Sequence, residues 1–414
     1  MYKLRQYQQD AVDKLIWSQK LEGADICVVA QGGGKSLIIA ELAHRLNQPI
    51  LILQPSLEIL EQNVEKMRTY VDDSEIGIYS ASVGRKDFGL YTFATIQSVY
   101  KTPENFNHFK QIIIDECDLV PVTNSNSMFM SFLKNIGSPK VIGMTGTPYR
   151  MAKMYERLPT GELLTHTTTK LINRQWNPFW KRIIFNITTQ DLIKQGYLVP
   201  IKYLDRSIIQ HNDIPTNISR SDFDLEVYEE KIKSKEDEII GNIFLGMELG
   251  KHILVFCSSI DQAEKLCSII SCGEVITSKT SKKERIRIIT DFKKGKIKIV
   301  FNVSVLTVGF DFPELDCIIM LRPCRSIRLF GQMCGRGCRP ALGKKFCWLI
   351  DLVANSKNLG KYETIRIEKI GSKWEILSNK GSFHNKSLFN YKIPKKVREK
   401  KRLHSLEQGD TQNR

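Results

Sequence analysis

The sequence predicts an α/β protein with two parallel-sheet units in tandem, a small connector between them and a basic carboxyl-terminal tail. The length of 414 residues is too great for one small domain. Short apolar runs alternate with helical patterns over residues 24–145, and the alternation restarts over residues 252–353. We therefore expect the first unit at 1–160, the connector at 161–245, the second unit at 246–355 and an extension at 356–414.

The composition is that of a globular protein, with 42% hydrophobic and 26% charged residues. We find no apolar run near the length of a bilayer span, and the amino terminus lacks the apolar core of a secretory signal. Intracellular residence is therefore expected, with no membrane partner. The ten cysteines form no C-x-x-C pair, so we expect neither a zinc site nor disulfides.

The charge balance favours a polyanionic partner. Lysine and arginine number 61 against 45 acidic residues, which gives a net charge of +16. Nucleic acid is the natural partner for such a chain, although a merely solvated basic surface has the same composition. A dense basic run over residues 392–402 would add phosphate contacts if it binds, either as a helix or disordered, and is otherwise a solvated tail.

The first unit opens with a predicted helix near residues 6–16, preceded by Arg5 and including Gln8. A glutamine amide can both donate to and accept from an adenine base. By itself this is a weak signal, but it lies about 25 residues before a glycine-rich loop, which makes it more specific.

That loop follows an apolar strand at residues 26–29 and consists of Gly32, Gly33 and Gly34. Lys35 and Ser36 then open a helix. Free backbone amides and a helix amino terminus at one point form an anion site, and the lysine and hydroxyl suit a nucleotide phosphate tail with Mg²⁺. The strict phosphate-loop pattern requires glycine at position 29, where this chain has valine, so an ordinary glycine-rich turn is the alternative.

Polar residues follow three further predicted strands. Pro55 and Ser56 follow the strand at 49–54, and Thr95 and Gln97 end the next. These ends could line a ligand groove at the carboxyl edge of the sheet or be plain core. The strand at 111–114 is followed by three carboxylates, those of Asp115, Glu116 and Asp118. Carboxylates are ligands for Mg²⁺, and an acid beside the metal can orient and deprotonate a water.

The stretch between the units is less regular. Residues 183–200 show a strand, a helix and a turn into another strand, and residues 223–232 show helical hints. We interpret the region as a connector carrying an accessory element, or as part of the packing surface of the second unit.

Two stretches of the second unit contain residues that could take part in catalysis. VSVLTVGFDFP, residues 303–313, is a strand followed by a glycine turn and an aspartate. QMCGRGCR, residues 332–339, would project Gln332, Arg336 and Arg339 to one side, where two arginines suit the charge on a transferring phosphoryl group. A solvated basic helix is the alternative, and Gly335 and Gly337 argue against it because glycine weakens a purely structural helix.

In this order and spacing, AQGGGKS, DECD and GMTGTP resemble motifs I, II and III of superfamily 2 helicases. LRQYQ resembles the glutamine motif, and QPSLEILEQ and TFATIQS resemble motifs Ia and Ib. FCSS, VSVLTVGFDFP and QMCGRGCR resemble motifs IV, V and VI. The resemblance covers roughly residues 4–353 and implies two RecA-like domains that bind ATP and Mg²⁺.

The resemblance also implies a role for each motif residue. Lys35 with the amides of Gly32, Gly33 and Gly34 would hold phosphates, Ser36 and Asp115 would hold Mg²⁺, and Glu116 would activate water. Gln332, Arg336 and Arg339 would act in catalysis from the second domain, and Arg5, Gln8, Gly309 and Asp311 would bind the nucleotide. The implied nucleic-acid contacts are Pro55, Ser56, Thr95, Gln97, Ser258 and Thr307.

The run from GFDFPELDCIIMLRP to GQMCGRGCR and the stretch LIDLVANSKNLG resemble RadD-like and UvsW-like DNA helicases. No cysteine follows Cys347, so the zinc module of RadD-like proteins is not expected. DECD is closer to RNA-directed enzymes, but TGTP is closer to DNA translocases, and we expect DNA. The resemblance implies a monomer on single-stranded or branched DNA, in the cytoplasm or nucleoid of a bacterial or phage-infected cell. It would act in repair, recombination or replication.

Three alternatives remain open. The first is an RNA helicase, and the second is a double-strand DNA translocase subunit of a restriction-like system. The third is a nonenzymatic nucleic-acid scaffold, against which the complete set of phosphate, carboxylate and arginine residues argues.

Overall fold

The structure is a computed structural model that describes residues 2–137, 139–157, 163–174, 178–217, 221–306 and 311–383. The described residues form two compact units. One takes in residues from 1–150 and 170–198, and the other takes in residues from 151–169 and 199–414. Among the described residues, no helix combines the length and apolar character that a membrane crossing requires.

The elements up to residue 194 include an eight-stranded sheet. In chain order they are α1 (Gln6–Trp17), β1 (Ala24–Val29), α2 (Lys35–Leu46), β2 (Ile50–Gln54), α3 (Leu57–Met67), β3 (Ile76–Ser80), β4 (Arg85–Lys86), β5 (Tyr91–Thr95), α4 (Ile96–Val99), β6 (Gln111–Asp115), α5 (Met128–Asn135), β7 (Lys140–Thr145), β8 (Tyr149–Arg157), β9 (Leu163–Leu171), β10 (Trp180–Ile187) and α6 (Thr189–Lys194). The sheet order is β10-β1-β7-β6-β2-β5-β3-β4, and β8 pairs with β9 separately. Only the β3–β4 pair of this sheet is antiparallel.

The sequence builds this sheet from fully buried strands. Every residue of β1, β2 and β6 is buried, as expected where helices cover both faces of a parallel sheet. Because the central strands are parallel, their carboxyl ends meet at one edge. The residues at that edge are Val29, Gln54, Thr95, Asp115 and Thr145.

The second unit has its own parallel sheet. Its elements are β11 (Ile201–Asp205), α7 (Leu225–Ile232), α8 (Glu236–Leu249), β12 (Ile253–Phe256), α9 (Ile260–Ile270), β13 (Gly273–Ile276), α10 (Lys282–Lys293), β14 (Ile299–Asn302), β15 (Cys317–Met320), α11 (Ile327–Cys334), β16 (Cys347–Asp351), α12 (Asn355–Leu359), β17 (Arg366–Ile370), β18 (Lys373–Ser378) and β19 (Gly381–Ser382). Six strands pair in the order β11-β16-β15-β12-β14-β13, all parallel. Strands β17, β18 and β19 form a small antiparallel sheet.

The predicted fold class, two parallel α/β units in tandem, is confirmed. The prediction of a separate connector at 161–245 needs correction, because that stretch supplies strands to both sheets. Strand β10 pairs in parallel with β1, and β11 pairs in parallel with β16. Each pairing satisfies the backbone groups of a strand that would otherwise be an open edge. The basic run at 392–402 lies outside the described residues.

Candidate functional site

The glycine loop lies between β1 and α2 in the first unit. Gly32 and Gly34 have φ angles of 78° and 76°, a left-handed backbone that favours glycine. A Cβ on Gly33 would lie 2.7 Å from Cγ1 of Val29 and 2.8 Å from the carbonyl oxygen of Ala30. The loop therefore requires its glycines, whereas Val29 is the last residue of the strand and lies before the tight turn.

An ion pair joins this loop to the end of β6. Nζ of Lys35 lies 2.9 Å from Oε1 of Glu116, and both side chains are 13% exposed. Burial alone would lower the pKa of Lys35, but the carboxylates of Glu116 and Asp115 outweigh it and raise that pKa. Oε2 of Glu116 makes no hydrogen bond within the described part of the chain. Glu116 also has a left-handed backbone, with φ at 49°, a conformation that costs energy and is concentrated at functional sites.

Asp115 is the last residue of β6 and is 5% exposed. Its Oδ1 accepts the backbone N–H of Glu116 at 2.9 Å, and its Oδ2 accepts from Nδ2 of Asn63 at 3.0 Å. Burial and the adjacent charge of Glu116 raise the pKa of Asp115 above its ordinary value. No sequence pattern indicates Asn63, because one polar residue in an amphipathic helix gives no signal.

The third carboxylate connects two strand ends. Asp118 accepts hydrogen bonds from the hydroxyls of Thr145, at 2.7 Å, and Thr147, at 3.4 Å. The DECD and GMTGTP sequences are therefore one hydrogen-bonded unit. The sequence patterns did not predict these bonds.

The residues predicted to recognise adenine support the glycine loop in this structure. Gln8 is 2% exposed; its Oε1 accepts the N–H of Arg5 at 2.9 Å, and its Nε2 donates to the carbonyl of Gly33 at 3.4 Å. The hydroxyl of Tyr7 donates to the same carbonyl at 2.7 Å. The guanidinium carbon of Arg5 lies 4.2 Å from the ring centre of Tyr197, a neighbour that sequence analysis did not predict.

Two pairs of predicted nucleic-acid contacts lie along the same edge. Pro55 and Ser56 follow β2 and are partly exposed, while Thr95 ends β5 and Gln97 is exposed. The two strands are neighbours, with Gln54 opposite Thr95. Ser56 also caps α3 by accepting the N–H of Ile59 at 3.4 Å.

In the second unit, α11 carries the predicted catalytic group. Gln332 is on the helix and is 4% exposed, and Arg336 follows the helix end and is 8% exposed. Arg339 forms an ion pair with the carboxylate of Asp311, so two predicted site residues meet. Gly309 and Thr307 lie outside the described residues.

Gly337 has a packing role that sequence analysis did not foresee. A Cβ at this position would lie 2.4 Å from Sγ of Cys347 in the neighbouring strand β16. Close packing is thus a sufficient reason for this glycine, and Gly337 by itself gives no evidence for a catalytic role.

A buried asparagine fixes the loop before α11. Oδ1 of Asn355 accepts the N–H of Cys324 and lies 3.0 Å from Nε2 of His211, while its Nδ2 donates to the carbonyl of Arg322 at 2.9 Å. Asp351, at the end of β16, accepts the N–H groups of Asn355 and Ser356. Sequence analysis missed this network; the available signal was a buried strand ending in aspartate with an asparagine four residues on.

Ser258 was predicted to contact nucleic acid. In the structure it is 6% exposed, and its hydroxyl donates to Oε1 of Glu229 at 2.7 Å. The hydroxyl is thus bonded within its own unit, and a role in nucleic-acid binding stays a prediction.

Two protein families match the chain in the order of its two units. Residues 1–150 match the type III restriction enzyme res subunit family, and residues 234–341 match the helicase conserved C-terminal domain. The chain is 26% identical over 381 residues to the putative ATP-dependent helicase IRC3 of Saccharomyces cerevisiae, covering 85% of this chain and 52% of IRC3. It is 23% identical to the DNA 3'-5' translocase XPB2 of Sulfurisphaera tokodaii, covering 81% of this chain and 78% of that protein.

The fold is also similar to a solved structure, a fragment of a putative HsdR subunit of a type I restriction enzyme from Vibrio vulnificus YJ016. The TM-score is 0.63 at 20% identity, covering 87% of this chain and 65% of the other. The chain spans about half the length of IRC3. The family matches, the relatives and the paired RecA-like domains agree with the order of motifs, and the chain belongs to superfamily 2 of the helicases.

Proposed function

We propose that the protein is an ATP-dependent DNA helicase or translocase. It couples ATP hydrolysis to movement on, or unwinding of, single-stranded or branched DNA in repair, recombination or replication. The observation that carries this proposal is the junction of the glycine loop with the end of β6, where Lys35 and Glu116 pair at 2.9 Å. A cation lies beside an anion-binding loop together with a carboxylate, one oxygen of which has no hydrogen-bond partner among the described residues.

The donors at this junction fit a divalent cation. The carboxylate of Asp115 and the hydroxyl of Ser36 are hard oxygen ligands of the type Mg²⁺ takes, together with phosphate and water. When bound, the metal would neutralise charge on the phosphate tail. We assign Asp115 and Ser36 to the metal, and Lys35 with the loop amides to the phosphates.

Hydrolysis then depends on groups of the chain itself. Glu116 would orient the attacking water and accept its proton, for which Oε2 is the available oxygen. Lys35 would leave Oε1 and bind phosphate, since the anionic tail replaces the carboxylate as its partner. Arg336 and Arg339 would stabilise the charge that develops on the transferred group, and Gln8 and Arg5 would bind adenine.

Three observations support a nucleic-acid partner, and the last of them favours DNA. The chain carries a net charge of +16, and polar residues follow β2 and β5 along one edge. XPB2, by its name, translocates on DNA. An RNA helicase is the second candidate, because Asp118 as the last residue of DECD is closer to the RNA-directed pattern.

The proposal is tested by ATP hydrolysis of purified variants with single-stranded DNA, forked DNA and RNA as stimulants. Lys35→Ala and Glu116→Gln should each abolish stimulated turnover, a loss of about 100-fold or more. Lys66→Ala, on the surface of the same unit, is the control and should retain it. Wild-type turnover in either site variant would overturn the proposal, and stronger stimulation by RNA would favour the second candidate.

A further inference from the structure

A buried asparagine connects three elements at the carboxyl edge of the first sheet. Asn63 is in the middle of α3 and is 1% exposed. Its Nδ2 donates to Oδ2 of Asp115 at 3.0 Å and to Oε1 of Gln54 at 3.0 Å. One amide nitrogen therefore joins α3 to the last residue of β6 and the last residue of β2.

The orientation of this amide follows from the charge of Asp115. An ionised carboxylate only accepts hydrogen bonds, so it must face the NH₂ group of Asn63 and not its oxygen. The second hydrogen of that group then points at Oε1 of Gln54, which fixes the orientation of the glutamine. Charge at the metal-ligand position and the conformation of the β2 end are thereby linked.

Stability alone does not explain these two amides. Oδ1 of Asn63 and Nε2 of Gln54 are buried and make no hydrogen bond within the described part of the chain. Buried polar atoms without partners destabilise a fold, and an apolar pair of the same shape would avoid that cost. The arrangement is better explained by its effect on Asp115.

Gln54 is also the residue immediately before the predicted nucleic-acid contacts. Pro55 and Ser56 follow it, and Ser56 caps α3 through the N–H of Ile59. A ligand that moves Pro55 and Ser56 would therefore displace both Gln54 and the start of α3. These are the two elements that Asn63 connects to Asp115.

We propose that Asn63 is a positioning residue that orients Asp115 for the metal–nucleotide complex and transmits nucleic-acid binding at Pro55 and Ser56 to the hydrolytic site. The inference rests on the proposed function, in which Asp115 is a metal ligand. Gln54 is the second member of the link, between Asn63 and the nucleic-acid contacts.

Binding and turnover together test this role. In Asn63→Leu, the Mg²⁺ concentration that half-saturates binding of a fluorescent ATP analogue should rise about 10-fold, and nucleic-acid-stimulated kcat should fall about 10-fold. Analogue binding without Mg²⁺ and affinity for DNA should stay at wild-type values. Asn63→Ala, which also removes the donor, should show the same shifts and serves if the leucine variant does not fold.

Gln54→Leu separates the two halves of the link. It keeps the bond from Asn63 to Asp115, so the Mg²⁺ dependence of analogue binding should match that of the wild type. The ratio of stimulated to basal hydrolysis should nevertheless fall, because the β2 end no longer contacts Asn63. A wild-type ratio in this variant would overturn the transmitting role.

Val64→Ala is the matched control for loss of packing. Val64 is next to Asn63 on α3 and is 2% exposed, but it offers no hydrogen bond to Asp115. A Mg²⁺ shift in Val64→Ala equal to that in Asn63→Leu would assign the effect to helix stability and overturn the inference, as would wild-type Mg²⁺ dependence in Asn63→Leu. If the wild type hydrolyses no ATP with any nucleic acid, the proposed function fails, and analogue binding still tests the bond to Asp115.

Discussion

The two parallel sheets both carry polar side chains at their carboxyl edges, but the edges differ in how those side chains are bonded. In the first unit, Lys35 and Glu116 pair with each other, and one oxygen of Glu116 has no partner within the described residues. In the second unit, the carboxylate of Asp351 accepts backbone N–H groups and the amide of Asn355 is bonded on both sides.

The difference shows how one fold can serve two tasks. The first edge keeps charged groups and left-handed backbone positions beside the glycine loop and the start of α2, an arrangement suited to an anionic ligand. The second edge uses its polar groups to hold the loop that leads into α11. It thereby fixes the start of the helix that Arg336 follows. We infer that the first edge binds the ligand and that the second edge presents Arg336. The predictions below test that division.

The largest expected effect separates binding from chemistry. Arg336→Gln should lower stimulated kcat about 1000-fold, because an arginine on a transferring phosphoryl group contributes at least that much. Its effect on binding of a fluorescent ATP analogue should stay within about 3-fold, since the residues proposed to hold the phosphates are in the first unit. Stopped-flow binding and steady-state hydrolysis measure the two quantities.

The control for this prediction is Arg366→Gln. Arg366 is on the small antiparallel sheet and pairs with Glu368, so turnover should be unchanged. A loss of analogue binding in Arg336→Gln as large as that in Lys35→Ala would contradict the division between the two edges.

Local patterns predicted the first edge well. The strands ending at Val29, Gln54 and Asp115 are continuous apolar runs with polar exits, and parallel pairing puts such exits together. What failed was pairing over long sequence separations. The pattern near residues 183–187 indicated a strand, but nothing local indicated that it would pair with β1, about 160 residues away.

The second edge was less predictable because its key residues act through packing. Asn355 and His211 meet across 144 residues, and neither belongs to a periodic or motif-like pattern. Asn63 likewise occurs in an ordinary amphipathic helix. Buried hydrogen bonds of this kind depend on tertiary placement, which composition and spacing do not contain.

The second expected effect is a pH dependence of the stability of the second unit. Burial, together with the charge of Arg325, lowers the pKa of His211 to about 4, against an ordinary value near 6.5. At pH 7 the His211 side chain is largely neutral in both the folded and the unfolded chain. Below about pH 6.5 only the unfolded chain binds the proton, so stability should fall by roughly 2 kcal/mol between pH 6.5 and 5 and continue to fall towards pH 4.

Urea unfolding of the wild type and His211→Gln at pH 7 and pH 5 measures this contribution. The glutamine cannot titrate, so the loss of stability on acidification should be smaller in the variant by that amount. Equal losses in the two proteins would show that His211 is protonated in the folded state and that its buried contact with Asn355 is not as described.

The smallest expected effect compares two matching serines. Ser56 caps α3 in the first unit and Ser326 caps α11 in the second. Oγ of Ser56 accepts the N–H of Ile59 at 3.4 Å, and Oγ of Ser326 accepts the N–H of Leu329 at 3.3 Å. Each serine-to-alanine change should cost about 1 kcal/mol of stability in urea unfolding. Only Ser56→Ala should also weaken binding of single-stranded DNA, by a few-fold, because of the two capping serines only Ser56 is proposed to contact nucleic acid. Fluorescence anisotropy at fixed salt measures that binding. An equal loss of DNA affinity in Ser326→Ala would place nucleic-acid contacts at both helix starts and would end the distinction between a binding edge and a presenting edge.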